Sequence, residues 1–191
     1  MILEIVKFGH PALREPGQPL GPVTPEIRRL AADMLETMYA ANGVGLAAQQ
    51  VGRPLLLTVI DVRGSEMPWT MTPELPMPLV LVNPRLSQLQ GEETSVEGCL
   101  SIPDVSADIR RAARITVAAA TLEGDQREFS CTGLLARAVQ HEVDHLNGIL
   151  FTERMDAATR AGFAGQLKRL QKETRATLKQ ARGPRLVARS G

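Results

Sequence analysis

Thr132-Gly133-Leu134-Leu135-Ala136-Arg137-Ala138-Val139-Gln140-His141-Glu142-Val143-Asp144-His145-Leu146-Asn147 carries the spacing of one helix, and everything else in the chain arranges itself around it. Residues four apart sit about 40° from each other on a helix, so His141 and His145 face one point and can hold one metal ion. Glu142 lies beside that face, where it can act on a water at the metal without being a ligand. The chain has only three histidines, His10 being the other. Two of them flanking a glutamate in this spacing therefore carry information.

Catalytic sites of this kind take three protein ligands and keep one position open. A histidine at position 151 would complete one known pattern, but Phe151 stands there. Glu153 follows the helix too soon, and Glu173 sits in a basic tail. The remaining candidate is Cys99, in Glu97-Gly98-Cys99-Leu100-Ser101. A thiolate is a strong ligand for iron, zinc or nickel, and the glycine beside it lets the backbone pass close to a metal. Without context, an isolated cysteine is better read as a small buried hydrophobe, and Cys131 keeps that reading. A third segment, Gly43-Val44-Gly45-Leu46-Ala47-Ala48-Gln49-Gln50, permits close approach of a ligand's backbone, and Gln50 offers an amide donor for an oxyanion. It fits equally well as a small-residue turn packing a helix on a sheet.

Outward from these segments the pattern is mixed. Thr24-Pro25 opens a helix as N-cap and first residue; Ile27, Leu30, Met34 and Met38 form its apolar face, and Asn42-Gly43 ends it. Leu55–Val62 and Leu79–Val82 are short apolar runs suited to buried strands. Gly64–Pro78, with four prolines, reads as an extended loop. Arg114–Leu122 and Arg127–Ser130 form a hairpin around Glu123-Gly124-Asp125. Ala157–Arg182 is a third helix with Phe163, Leu167, Leu170 and Leu178 on one side. Strands without βαβ alternation predict an α+β fold: small antiparallel or mixed sheets packed around a central metal-binding helix, with a C-terminal helix.

The 191 residues suit one domain, with residues 1–156 as its catalytic part and 157–191 as a basic helix and tail, partly extended. At 43% hydrophobic and 23% charged residues, with no apolar run able to span a bilayer, the composition excludes membrane-spanning and disordered classes. The opening Met1-Ile2-Leu3-Glu4-Ile5 lacks a secretory pattern, and two cysteines cannot staple a disulfide scaffold, so a cytoplasmic location is expected. The charge is uneven. Nine of the 22 Lys and Arg fall after residue 156, against the single acid Glu173. Lys168, Lys172, Arg175, Lys179 and Arg182 follow helical spacing, which is either a solvated face or a surface that meets a polyanion.

Taken in order, GVGLAAQQ, EGCLS and QHEVDH closely resemble the motifs of the peptide deformylase family, and the likeness runs from Met1 to about Met155 through FGHPALR and HEVDHLNGILF. The resemblance implies removal of the N-formyl group from the initiator methionine of nascent polypeptides. It also implies that Cys99, His141 and His145 bind one divalent ion, Fe(II) natively, with Zn, Ni or Co able to substitute. On that reading Glu142 takes the water proton, while Gln50 and the Leu100 N–H stabilise the oxyanion. Gly45 and the chain near Gly98 pair with the substrate backbone; Arg137 and Ala138 line the methionine pocket with Val44 opposite. The basic C-terminal helix would dock on the ribosome, and no DNA or membrane partner is expected. One departure stands out: many bacterial members have a substrate-contacting arginine where this chain has Ser106, with Arg110, Arg111 and Arg137 as possible substitutes. Two other functions compete. A metallopeptidase would want a downstream His or Glu ligand, and a non-catalytic metal-stabilised module would close the site with a fourth ligand.

Overall fold

The computed structural model describes residues 1–181; Arg182, Arg185 and Arg189 of the basic tail lie outside the described residues. Three helices form: α1 (Pro25–Ala40), α2 (Gly133–Leu146) and α3 (Ala157–Ala181). The eight strands are β1 (Gly45–Ala47), β2 (Leu57–Ile60), β3 (Trp69–Thr72), β4 (Leu79–Gln90), β5 (Glu93–Cys99), β6 (Ile102–Arg111), β7 (Arg114–Ala120) and β8 (Gln126–Thr132). Six of them make an antiparallel sheet in the order β1-β2-β4-β7-β8-β3, and β5 and β6 form a separate hairpin. The architecture is the expected α+β arrangement.

The apolar runs explain which layers meet. Every residue of β2 is buried. Leu57 and Val59 pack with Leu30, Met34 and Met38 of α1, while Ile60 joins Ile115, Val117 and Phe129 against Leu135 and Val139 of α2. Such a strand has no solvent face, hence its unbroken apolar sequence. The β5–β6 hairpin encloses a third cluster, in which Ile102, Val105 and Ile109 meet Leu13, Leu150, Phe151 and Leu167. The long antiparallel stretch after residue 82 is not contained in the sequence-based expectation. β4 runs eight residues past Val82, with two register shifts that contain Asn83 and Gln88, both at positive φ. These interrupt the alternation that would reveal a strand.

Gly64–Pro78 is more than a loop. Its Trp69–Thr72 pairs with β8 as the sheet's outer strand. Pro68 meanwhile caps α2: its carbonyl accepts the Leu134 N–H at 3.0 Å, satisfying a donor that the first helical turn leaves free. Gly133 makes this possible. It sits at φ +60, and a Cβ there would stand 2.1 Å from the Pro68 oxygen. α2 is thereby inserted between sheet and hairpin, with 10 of its 14 residues buried.

Candidate metal centre and active site

β5 delivers Cys99. The hairpin register slips between Gly98 and Cys99, so that Cys99 lies opposite Ile102 across a tight turn and faces α2. The ligand atoms of Cys99, His141 and His145 lie within 4.8 Å of one another. Cys99 Sγ is 3.3 Å from His145 Nε2, and the two imidazoles stand 5.0 Å apart at 68°. One soft thiolate and two imidazoles suit iron, zinc, nickel or cobalt. The residues present fit a transition-metal ion.

What surrounds the ligands decides which nitrogen each presents. His141 Nδ1 donates to Glu97 Oε2 at 3.0 Å, which leaves Nε2 for a cation. Glu97 is buried and accepts three more hydrogen bonds, from Arg111 Nε at 2.7 Å, Arg111 Nη2 at 2.9 Å and Arg137 Nη1 at 2.8 Å. Burial alone would raise its pKa, but Arg111 and His141 outweigh it and hold the carboxyl at about 2. Burial pulls His141 down, while Cys99 and Glu97 more than reverse it and lift the imidazole to about 10. A cation would compete with that proton for the same ring. His145 behaves oppositely. Burial, then the charge of His141, push its pKa well down, so it stays the neutral imidazole a metal needs.

Glu142 is buried, and its Oε2 has no hydrogen-bond partner among the described residues. Burial drives its pKa up to about 7, against the pull of His141 and Arg111. A carboxylate poised near neutrality suits a general base. Its other oxygen explains Gly45, where a Cβ would lie 2.4 Å from Glu142 Oε1. Gln50 is oriented by its own neighbourhood. The Ala47 N–H donates to Gln50 Oε1 at 2.8 Å, so the amide nitrogen is turned toward Cys99 Sγ at 3.5 Å and Ser101 Oγ at 3.4 Å. The segment before the first helix fastens both sides: Val6 N–H donates to the Gln50 carbonyl at 2.8 Å and Phe8 N–H to the Ser101 carbonyl at 2.9 Å. Lys7 Nζ holds the Leu100 carbonyl at 2.8 Å.

A cleft of about 560 Å³ opens onto these groups. Val44, Gly45, Gln50, Gly98, Cys99, Leu100, Arg137, Ala138, His141 and Glu142 all border it, while His145 is buried behind Cys99. Ile102, Val105 and Leu134 add apolar wall that sequence reasoning missed. The substitutes for an arginine at Ser106 need correction. Arg111 is buried in ion pairs with Glu97 and Asp144. Arg137 borders the cleft, but its guanidinium is held by Glu97 and by the Ile109 and Glu93 carbonyls. Arg110 is exposed beside Glu92 and lies away from the cleft. None of the three is free to replace it.

A buried carboxylate left uncoordinated beside a three-ligand niche with room for a substrate is equipped to split an amide with water. The fold and site thus define a metal-dependent hydrolase. Comparison with known proteins narrows the class. Residues 2–161 match the family model described as Polypeptide deformylase. A peptide deformylase of Opitutus terrae is 42% identical over 190 residues, covering 94% of this chain and 98% of that one. The crystal structure of peptide deformylase from Thermus thermophilus superposes with a TM-score of 0.80 at 38% identity, over 91% of this chain and 99% of that one. A plant peptide deformylase structure gives a TM-score of 0.83 at 31% identity, over 92% of each chain. The chain belongs to the peptide deformylase family, metal-dependent enzymes that remove the N-formyl group from nascent polypeptides and release formate.

Proposed function

We propose that Cys99, His141 and His145 hold a single divalent cation, Fe(II) in the native protein, and that Glu142, Gln50 and Leu100 perform the deformylation around it. The observation that carries this reading is the meeting of the three ligand atoms, from β5 and α2, beside the unpartnered Glu142 Oε2. Bound there, the ion would supply a Lewis acid and lower the pKa of a water from about 16 to near 7. Glu142 accepts a proton as a water adds to the formyl carbon, and returns it to the departing methionine amine when the C–N bond breaks. Gln50 Nε2 and the Leu100 N–H donate to the oxygen that gains charge, each contributing about 3 kcal/mol.

The substrate backbone lies along Gly45 and Gly98. β1 is an outer strand of its sheet and β5 belongs to a two-stranded hairpin, so both have main-chain groups available for an added strand. Val44 and Ala138, with the stem of Arg137, wall the methionine side chain. Residues 1–156 supply the catalysis; 157–191 form a basic appendage that meets the ribosome. No helix among the described residues is long and apolar enough to cross a membrane; the proposed place of work is the cytoplasm, on emerging chains.

The deciding assay compares formyl-Met and unformylated peptides before and after chelation. Formate release from the formylated peptide alone, abolished by chelator and restored by Fe(II), is the expected result. Cleavage of internal peptide bonds would point to a metallopeptidase. Metal-stabilised folding without turnover would point to a binding module. Faster loss of activity in air than under argon is expected of ferrous iron beside a thiolate, and equal decay would indicate zinc.

A further inference from the structure

Asp144, the second of the two acidic residues between the histidines, touches no part of the cleft yet is buried. Its carboxylate accepts Arg111 Nη1 at 2.6 Å through Oδ2. It also takes Arg154 Nε at 3.1 Å and, on Oδ1, Arg154 Nη2 at 2.6 Å. Arg111 turns its remaining edge to Glu97, and Glu97 turns to His141. The contacts form one unbroken chain: Arg154, Asp144, Arg111, Glu97, His141. It begins at a solvent-facing pocket of about 260 Å³ behind the cleft, lined by Arg110, Arg111, Asp144 and Arg154, and ends on a ring whose far nitrogen faces the cation niche.

We propose that Arg111 and Asp144 are positioning residues for the metal ligand His141, acting through Glu97. A carboxylate offers about four acceptor directions. Guanidinium N–H groups occupy three of those of Glu97, two from Arg111 and one from Arg137, so the fourth is left for His141 Nδ1–H. Because a guanidinium is a rigid planar fork, Asp144 holding Nη1 fixes the plane in which Arg111 Nε and Nη2 point at Glu97. Asp144 is restrained in turn by Arg154, which borders solvent. The chain sets the tautomer of His141 and the direction of its Nε2 lone pair; it takes no proton itself. Buried ionic networks are often neutral or costly for stability, so orientation accounts for this one better than folding does.

This inference rests on the metal reading above, and its test separates the two. Full-length protein is stripped with chelator and titrated with cobalt(II), following the thiolate-to-cobalt absorption and the affinity by competition. Absence of that absorption in the wild type, or its survival in Cys99→Ser, overturns the metal reading itself. Given a normal wild type, Glu97→Gln is expected to weaken cobalt binding ten- to a hundredfold and Asp144→Asn about tenfold, the scale for groups that orient a ligand. The double variant should bind no more weakly than Glu97→Gln alone, because both changes break one chain of contacts. With Fe(II), Asp144→Asn should lower kcat and leave KM unchanged. Affinity within twofold of wild type in Asp144→Asn, or losses that simply multiply in the double variant, would overturn the proposal. Should Asp144→Asn fail to fold, Arg154→Gln at the exposed end replaces it: about a threefold loss of affinity supports the chain of contacts, and none refutes it.

Discussion

α2 and α3 are both helices with charged residues at helical spacing, and they make opposite use of them. α2 buries 10 of its 14 residues, among them Arg137, Gln140, Glu142, Asp144 and His145. α3 buries only Leu167 of its 25. Arg137 and Asp144 of α2 are fixed by partners from β5, β6 and the segment after the helix, and Glu142 is buried with an oxygen left unpartnered, whereas Lys168, Lys172, Arg175 and Lys179 stand in water. Burial converts a charged side chain into a group of fixed direction and shifted proton affinity. Exposure leaves it a diffuse source of potential, screened by salt. On the proposed reading, chemistry belongs to α2 and docking to α3.

Changes in α2 and its contacts should act on turnover, and the largest is Glu142→Ala. It is expected to cost at least about a hundredfold in rate while the bound metal stays, as for loss of a general base; near-normal turnover would break the contrast. Cys99→Ser comes next, with metal content after dialysis falling well below one ion per chain; full retention would take the sulfur out of the site. Gly45→Ala tests the contact from the other side. The new methyl must displace Glu142 Oε1, and a misplacement near 1 Å can cost about a hundredfold, so a drop of about 10- to 100-fold in kcat with little change in metal content is expected. Wild-type kcat would show that Glu142 has more room than a 2.4 Å approach implies.

A smaller effect sharpens the comparison through pH. The carboxyl of Glu97 is held near 2, against about 4.5 in the unfolded chain. Its folded pKa is depressed, so the stability it contributes is complete above about pH 4.5 and disappears as pH falls toward 2. Thermal melting of Glu97→Gln should therefore depend less on pH across that window than the wild type does. Parallel curves would mean that other carboxylates govern acid unfolding. Smallest of all for the chemistry, Lys168→Glu with Lys172→Glu should leave cleavage of a short formylated peptide within about twofold and stability within about 0.5 kcal/mol. Ribosome binding by the same variant should weaken and lose much of its salt dependence. Binding unchanged from low to high salt would leave the basic face without its assigned role.

The sequence carried the α2 wall openly and the opposite wall only in part. The His141–His145 spacing and the small residues before Gln50 have local periodicity or composition behind them, so their placement was legible. β6 was legible in principle, because Val105, Ala107, Ile109 and Arg111 alternate with exposed Asp104, Ser106, Asp108 and Arg110. The left-handed Asp104, at φ +61, breaks the phase with Ile102 and hides the strand. The role of Arg111 could not be read from its position in the chain. A lone arginine near a site reads as a substrate contact, and only the fold brings Glu97 and Asp144 to either side of it. Pro68 at the start of α2 was hidden for the same reason: no pattern in Gly64–Pro78 announces which helix its carbonyl will meet.

The backbone bonds of Val6 and Phe8 have a mechanical consequence. They stitch the Gln50 turn and the Leu100-Ser101 turn, the two segments proposed to present donors to the formyl oxygen, into one frame. Through these bonds, a pull on the first few residues, from a surface tether or an affinity handle, would load both segments at once. If Gln50 and Leu100 act as proposed, tension applied at that end would be felt as a slower reaction.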